Sequence, residues 1–224
     1  MADATKGRGE GFDMAAAVTR SLLGWGVVAG IFYLVVGVAL ALTRSGFDFG
    51  KHALSLLMLG DLGWAQTVNL ALAGLMTLAA AVGVRRATGS AAASTLIGVY
   101  GACLVASAIF PPDPMAGFPV GAPASEGSLS GVLHLAFGAV GFLCLAVATF
   151  VVAGWFARRG NAGGALYSRV SGAVVALGFV GGAAMATSVV GVVCLWIAVV
   201  VGWAWLAVAS VGLYRTVPHP DGAR

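Results

Sequence analysis

The chain has 224 residues, 60% of them hydrophobic and 9% charged, and a mean hydropathy of +0.98. Soluble domains carry about 25% charged residues, so this composition excludes a water-soluble fold and marks an integral membrane protein. The net charge of +4 does not point to nucleic acid, because no basic run exceeds two residues and no aromatic residues interleave with them.

Crossing the hydrocarbon takes about 20 apolar residues, and six runs qualify, the first at about 21–42. Lys6, Arg8 and Arg20 precede it, and Gly26 and Gly30 fall on one helix face where a neighbouring backbone can approach. Ala39-Leu40-Ala41 imitates a signal-peptide cleavage site, but the run exceeds the usual length of about 7–15 residues, so it is read as a retained span. Next comes "FDFGKHALSLLMLG", residues 47–60, with Asp48, Lys51, His52 and Ser55. Its apolar part, 53–59, is too short to cross and is bracketed by Gly50 and Gly60, which predicts a short interfacial or re-entrant helix. On such a helix His52 and Ser55, three apart, share a face. Arg44, just before, is expected to pair with Asp48 or Asp113, or with a lipid phosphate.

The second run, about 64–84, has Asp61 as its expected N-cap and ends at Arg85-Arg86. Gln66 and Asn69 within it are read as interhelical hydrogen-bonding groups. The third, about 92–110, stops at "FPPDP", because Pro112 and Pro114 cannot continue a helix; the turn holds Asp113 at the membrane surface. No Lys or Arg occurs in 111–129. Glu126, Ser130 and His134 recur every four residues, a polar stripe entering the fourth run at about 130–153, which Arg158 and Arg159 follow. The last apolar tract is too long for one span and divides at Thr187-Ser188 into about 168–188 and 191–213, with Gly178 and Gly182 on one face and Arg215 beyond. Trp25, Trp64, Trp155 and Tyr214 sit near span ends, where amphipathic rings prefer the headgroup region. Trp196, Trp203 and Trp205 are read as packing or lipid-facing bulk. Cys103, Cys144 and Cys194 lie inside apolar runs and read as small core residues. The first twenty residues and the last seven read as mobile, solvated tails.

The expected fold is therefore all-α: a polytopic six-span bundle in one membrane domain, 1–224. Placing both termini in the cytoplasm puts every basic cluster on one side, apart from Arg44 and Lys51, which Asp48 and Asp61 offset. A multi-pass protein of the cell membrane follows.

Ionisable groups retained at a membrane mark function by default, and here they gather on the extracytoplasmic side: His52, Ser55, Asp113, Glu126 and His134. His52, His134 and Asp113 are the candidate metal ligands, and zinc or a related divalent ion is the cofactor that imidazole and carboxylate would take to activate water. The same pocket without metal is read as an acid/base or binding site, such as an isoprenoid cyclase with Asp113 or Glu126 as proton donor. The bland reading is that both histidines hydrogen-bond loop backbone or water. No P-loop, dinucleotide fingerprint, nucleophile elbow or H-E-x-x-H is present.

The "HALS" of His52–Ser55, Trp64 with Asn69 and Gly74, "IFPPDP" at 109–114, and His134 resemble a family of bacterial and archaeal membrane proteins catalogued as domain of unknown function 998. The resemblance covers most of the chain and implies a six-helix bundle with its recurrent polar residues on one face. A looser likeness is to the membrane hydrolases that include alkaline ceramidases, which use Ser, Asp and His around zinc; their paired-His motif is missing here. Three functions compete: an enzyme acting on a lipid or amphiphile at the outer leaflet, a non-catalytic lipid- or partner-binding component, and a small-solute transporter. No Asp or Glu lies deep in a span, which disfavours the last. The partners are membrane lipids and, through the glycine faces, a second copy of the chain.

Overall fold

In hydrocarbon every backbone N–H must bond within its own segment, so apolar runs become helices. The computed structural model describes residues 12–123 and 127–221. Their six helices are α1 (Met14–Thr43), α2 (Gly63–Thr88), α3 (Ala91–Ile109), α4 (Leu129–Arg158), α5 (Ala162–Ala184) and α6 (Val189–Tyr214). A short 3-10 helix, Leu54–Met58, stands between α1 and α2. All six α-helices are long and apolar enough to cross a membrane, and the described residues contain no strand.

Each helix packs on its sequence neighbours, and α6 returns to α1, closing the six into a ring. Helices that are apolar all round cannot sort their faces by polarity; where they approach most closely, small residues turn inward. Ile31, Val35, Leu75, Leu135 and Leu177 face outward, while Ala29, Ala73, Ala80, Ala148 and Ala198 are fully buried. Small inward residues let backbones approach, which is how helices gain packing when lipid already solvates their large side chains. At the closest approach, a Cβ on Gly74 would stand 2.7 Å from the Gly101 carbonyl oxygen, and one on Gly101 would stand 2.9 Å from that of Gly74.

The two glycine stripes, read from the sequence as helix-packing faces with homodimerisation as the alternative, pack against helices of the same chain. Gly26 and Gly30 receive Ser210 and Trp203 of α6, and Gly178 and Gly182 receive Cys194 and Leu195 of α6. Trp203 and Trp205 are packing residues, buried at 2% and 0% exposure, and the Trp205 Nε1–H donates to Ser168 Oγ at 3.1 Å. The three cysteines are free thiols.

Capping groups, invisible to a hydropathy window, move several ends. α1 begins at Met14 because Asp13 accepts from Ala16 N at 2.9 Å, and α5 begins at Ala162 because Asn161 accepts from Gly164 N at 2.8 Å. Ser188 accepts from Gly191 N at 3.0 Å, so α6 starts beside the expected division. Asp61 is not a cap: Leu62 holds that position without a side-chain bond. Nor are the described parts of the tails loose. The Arg20 guanidinium donates to the Val217 and Pro218 carbonyls at 2.9 and 3.1 Å and lies 4.0 Å over the Tyr214 ring, while Asp13 N–H donates to Pro220 O at 2.7 Å.

Candidate functional site

At the end of the bundle opposite the termini, the chemistry starts from missing donors. In a continuing helix the carbonyls of Ser107 and Phe110 would accept from residues 111 and 114, but both are proline and have no N–H. His134, one turn into α4, supplies the replacement: its Nδ1 lies 3.1 Å from Ser107 O and 2.8 Å from Phe110 O. Both are acceptors, so Nδ1 carries the proton. Ser130 adds a bond to Pro111 O at 2.8 Å. Asp113 accepts from Ser128 N at 3.0 Å, and its carboxylate occupies the space a side chain at Gly131 would fill. A carboxylate at this first turn also meets the positive end of the α4 dipole. Glu126 lies outside the described residues.

His52 makes the second junction. Asp48 N–H donates to its Nδ1 at 2.9 Å, so its Nε2 carries the proton and donates to Ala116 O at 3.1 Å. Ala116 and Gly117 have φ of +53° and +81°, forming a tight turn closed by reciprocal Met115–Phe118 backbone bonds. The His52 ring is 2% exposed and stands 5.3 Å from both Phe47 and Phe118. Trp196 Nε1–H donates to the His52 carbonyl at 3.2 Å, tying the loop to α6. Ser55 is half-buried in the 3-10 helix, and because His52 precedes that helix the two do not share a helical face.

Among the described residues Arg44 does not meet an acid. Its guanidinium donates to the carbonyls of Leu57 and Leu59, which end the 3-10 helix, and lies 5.4 Å from the Phe118 ring centre. Asp48 instead pairs with Lys51 at 3.1 Å. The Gly50 N–H that Asp48 accepts, then Lys51, hold this exposed carboxyl below the usual carboxylate range.

His52 and His134 thus both bond to the backbone stretch 107–118, and Asp113, within that stretch, bonds to the start of α4. Among the described residues no three His, Cys, Asp or Glu side chains gather so as to hold a metal. Both nitrogens of His52 and one of His134 bond to backbone groups.

Two features lie beyond the expected cluster. Gln66 and Asn69, 0% and 1% exposed, sit inside the bundle, where Asn69 Nδ2 donates to Tyr33 O at 3.1 Å and to Gln66 Oε1 at 3.0 Å. This is the interhelical bond the sequence leads one to expect. Gln66 Nε2 and Asn69 Oδ1 find no partner among the described residues. The other is a groove of about 340 Å³ open to the outside of the ring, lined by Phe49, Val193, Trp196, Ile197, Val200 and Val201. The uniformly apolar run 189–201 gave no sequence signal for the face that lines it.

A closed ring of six apolar helices, with its loops locked together at one end, defines a multi-pass membrane protein of the six-span helical class. The chain belongs to the family described as "Protein of unknown function (DUF998)", whose model matches residues 27–212. No curated protein and no solved structure matches it.

Proposed function

We propose that the protein is a non-catalytic, lipid-binding component of the cell membrane, with the latched loop end outside and both termini in the cytoplasm. In this reading His52, His134 and Asp113 are structural fasteners, and the ligand is an acyl chain lying in the groove beneath Phe49. The observation that carries it is that groove: about 340 Å³, apolar, at the lower bound of ligand-binding clefts, and opening toward lipid. The bonds that fill the ring of His52 support the same reading, since a base or metal ligand needs a nitrogen free to act. The orientation rests on the terminal end holding Arg20, Arg85, Arg86, Arg158, Arg159, Arg169 and Arg215 among the described residues, against Arg44 and Lys51 at the loop end.

The test is photocrosslinking of full-length protein in vesicles of phosphatidylcholine whose acyl chain carries a diazirine. Adducts are expected to concentrate on Phe49 and residues 193–201, and Val193→Trp is expected to reduce them several-fold. Adducts spread evenly over all outward helix faces would remove the proposal. So would stoichiometric zinc that disappears on His52→Ala.

A further inference from the structure

A second groove, of about 430 Å³, opens at the other end of the ring, between the start of α5 and the end of α6. Phe156, Tyr167, Val208 and Gly212 line it with apolar surface, and Arg215 stands in its lining. From this arrangement we propose a binding site for an anionic glycerophospholipid, its acyl chain in the groove and its phosphate on Arg215. The site is independent of the acyl-chain groove beneath Phe49, which lies at the opposite end of the molecule and has no residue in common with it.

The distribution of arginine partners carries the argument. On the α1–α2 side of this end, Arg20 binds the Val217 and Pro218 carbonyls, Arg85 binds that of Gly89, and Arg86 binds Thr19 Oγ1 at 2.8 Å. Those cations are occupied by their own chain. On the α4–α5–α6 side, Arg159 lies 4.2 Å over the Trp155 ring, but the guanidinium groups of Arg158, Arg169 and Arg215 make no hydrogen bond or ion pair with a described residue. All three are exposed.

The described carboxylates at this end offer them nothing: Asp13 caps α1, and Asp221 pairs with His219 at 3.4 Å. Uncompensated guanidinium at the mouth of an apolar groove complements a phosphate joined to a hydrocarbon tail, and basic pockets between spans are where such headgroups bind. A zwitterionic phosphocholine lipid brings its own cation beside the phosphate and leaves the net positive charge of this face unmatched. A free phosphate would leave the groove empty.

The experiment uses the purified full-length protein in detergent, titrated with phosphatidylglycerol or phosphatidylcholine in matched mixed micelles and read by native mass spectrometry and thermal unfolding. Phosphatidylglycerol is expected to remain bound and to raise Tm, with phosphatidylcholine doing so at least tenfold more weakly. Arg215→Gln is expected to lower phosphatidylglycerol affinity about tenfold. Ala207→Phe, which fills the groove and keeps every charge, is expected to do the same, and it decides the matter if Arg215→Gln does not fold. Arg85→Gln is expected to leave affinity unchanged. Equal retention of the two lipids, equal losses from Arg215→Gln and Arg85→Gln, or a shift of the same size from inorganic phosphate alone would each overturn the site. The crosslinking pattern beneath Phe49 is unaffected by any of these outcomes, so the two readings fail separately.

Discussion

At the residue scale, a histidine stands in for two peptide N–H groups. Pro111 and Pro114 strip the donors from the Ser107 and Phe110 carbonyls, and His134 Nδ1–H serves both. A buried acceptor left without a partner costs about 1–3 kcal/mol. His134→Ala is therefore expected to lower unfolding free energy by about that amount, measured by chemical or thermal denaturation in detergent; an unchanged Tm would remove the capping role. The signal for this role was present in the sequence. The stripe through Ser130 and His134 was legible, and so was the end of α3 at the prolines. What spacing alone did not convey is that a proline orphans the carbonyl four residues behind it, so the two signals belong together. His52 was harder to read, because its partner, Ala116, is 64 positions away and is presented by a turn with positive φ. A pair of histidines near acids reads as ligands until the bonds on each nitrogen are known.

At the scale of elements, existence was legible, and so were the ends marked by the prolines and by Thr187-Ser188; the starts of α1 and α5 were not. Twenty-residue apolar runs announce spans through the energetics of backbone transfer alone, whereas ends depend on single capping side chains such as Asp13 and Asn161. Pairing of helices was half legible: glycines at spacing four mark a close approach but not the helix that approaches. Here α6 takes both stripes, and α2 meets α3 at Gly74 and Gly101. Gly74→Val puts new methyl groups against the Gly101 carbonyl and Val105, so a loss of about 1–3 kcal/mol is expected from overpacking. Resistance to SDS unfolding measures it. Gly89→Ala, where a Cβ meets nothing within 4 Å but φ is +71°, separates backbone strain from collision. It is expected to cost less.

For the molecule as a whole, composition settles the membrane and the apolar runs give the number of spans, but ring closure depends on contacts between the first and last helices. α6 lies along α1, and the described part of the C-terminal tail is fastened to the first helix by Arg20 and Asp13. Arg20→Ala is expected to free residues 216–221, so that carboxypeptidase trims them several-fold faster while the transmembrane core keeps its Tm. Trimming at the parental rate would show that Arg20 does not fasten the tail. The grooves were the least legible features at this scale, since each joins residues from separate helices or loops.

The proline stop that leaves α3 at 19 residues also sets its reach. At 1.5 Å per residue that is about 28 Å, just under a hydrocarbon thickness of about 30 Å, while α1 and α4 run to 30 residues each. The shortfall of about 2 Å along that flank costs a bilayer of average thickness only a fraction of a kcal/mol for each ångström of mismatch. The proline turn therefore makes α3 the shortest of the six described helices, long enough to cross a bilayer and little more.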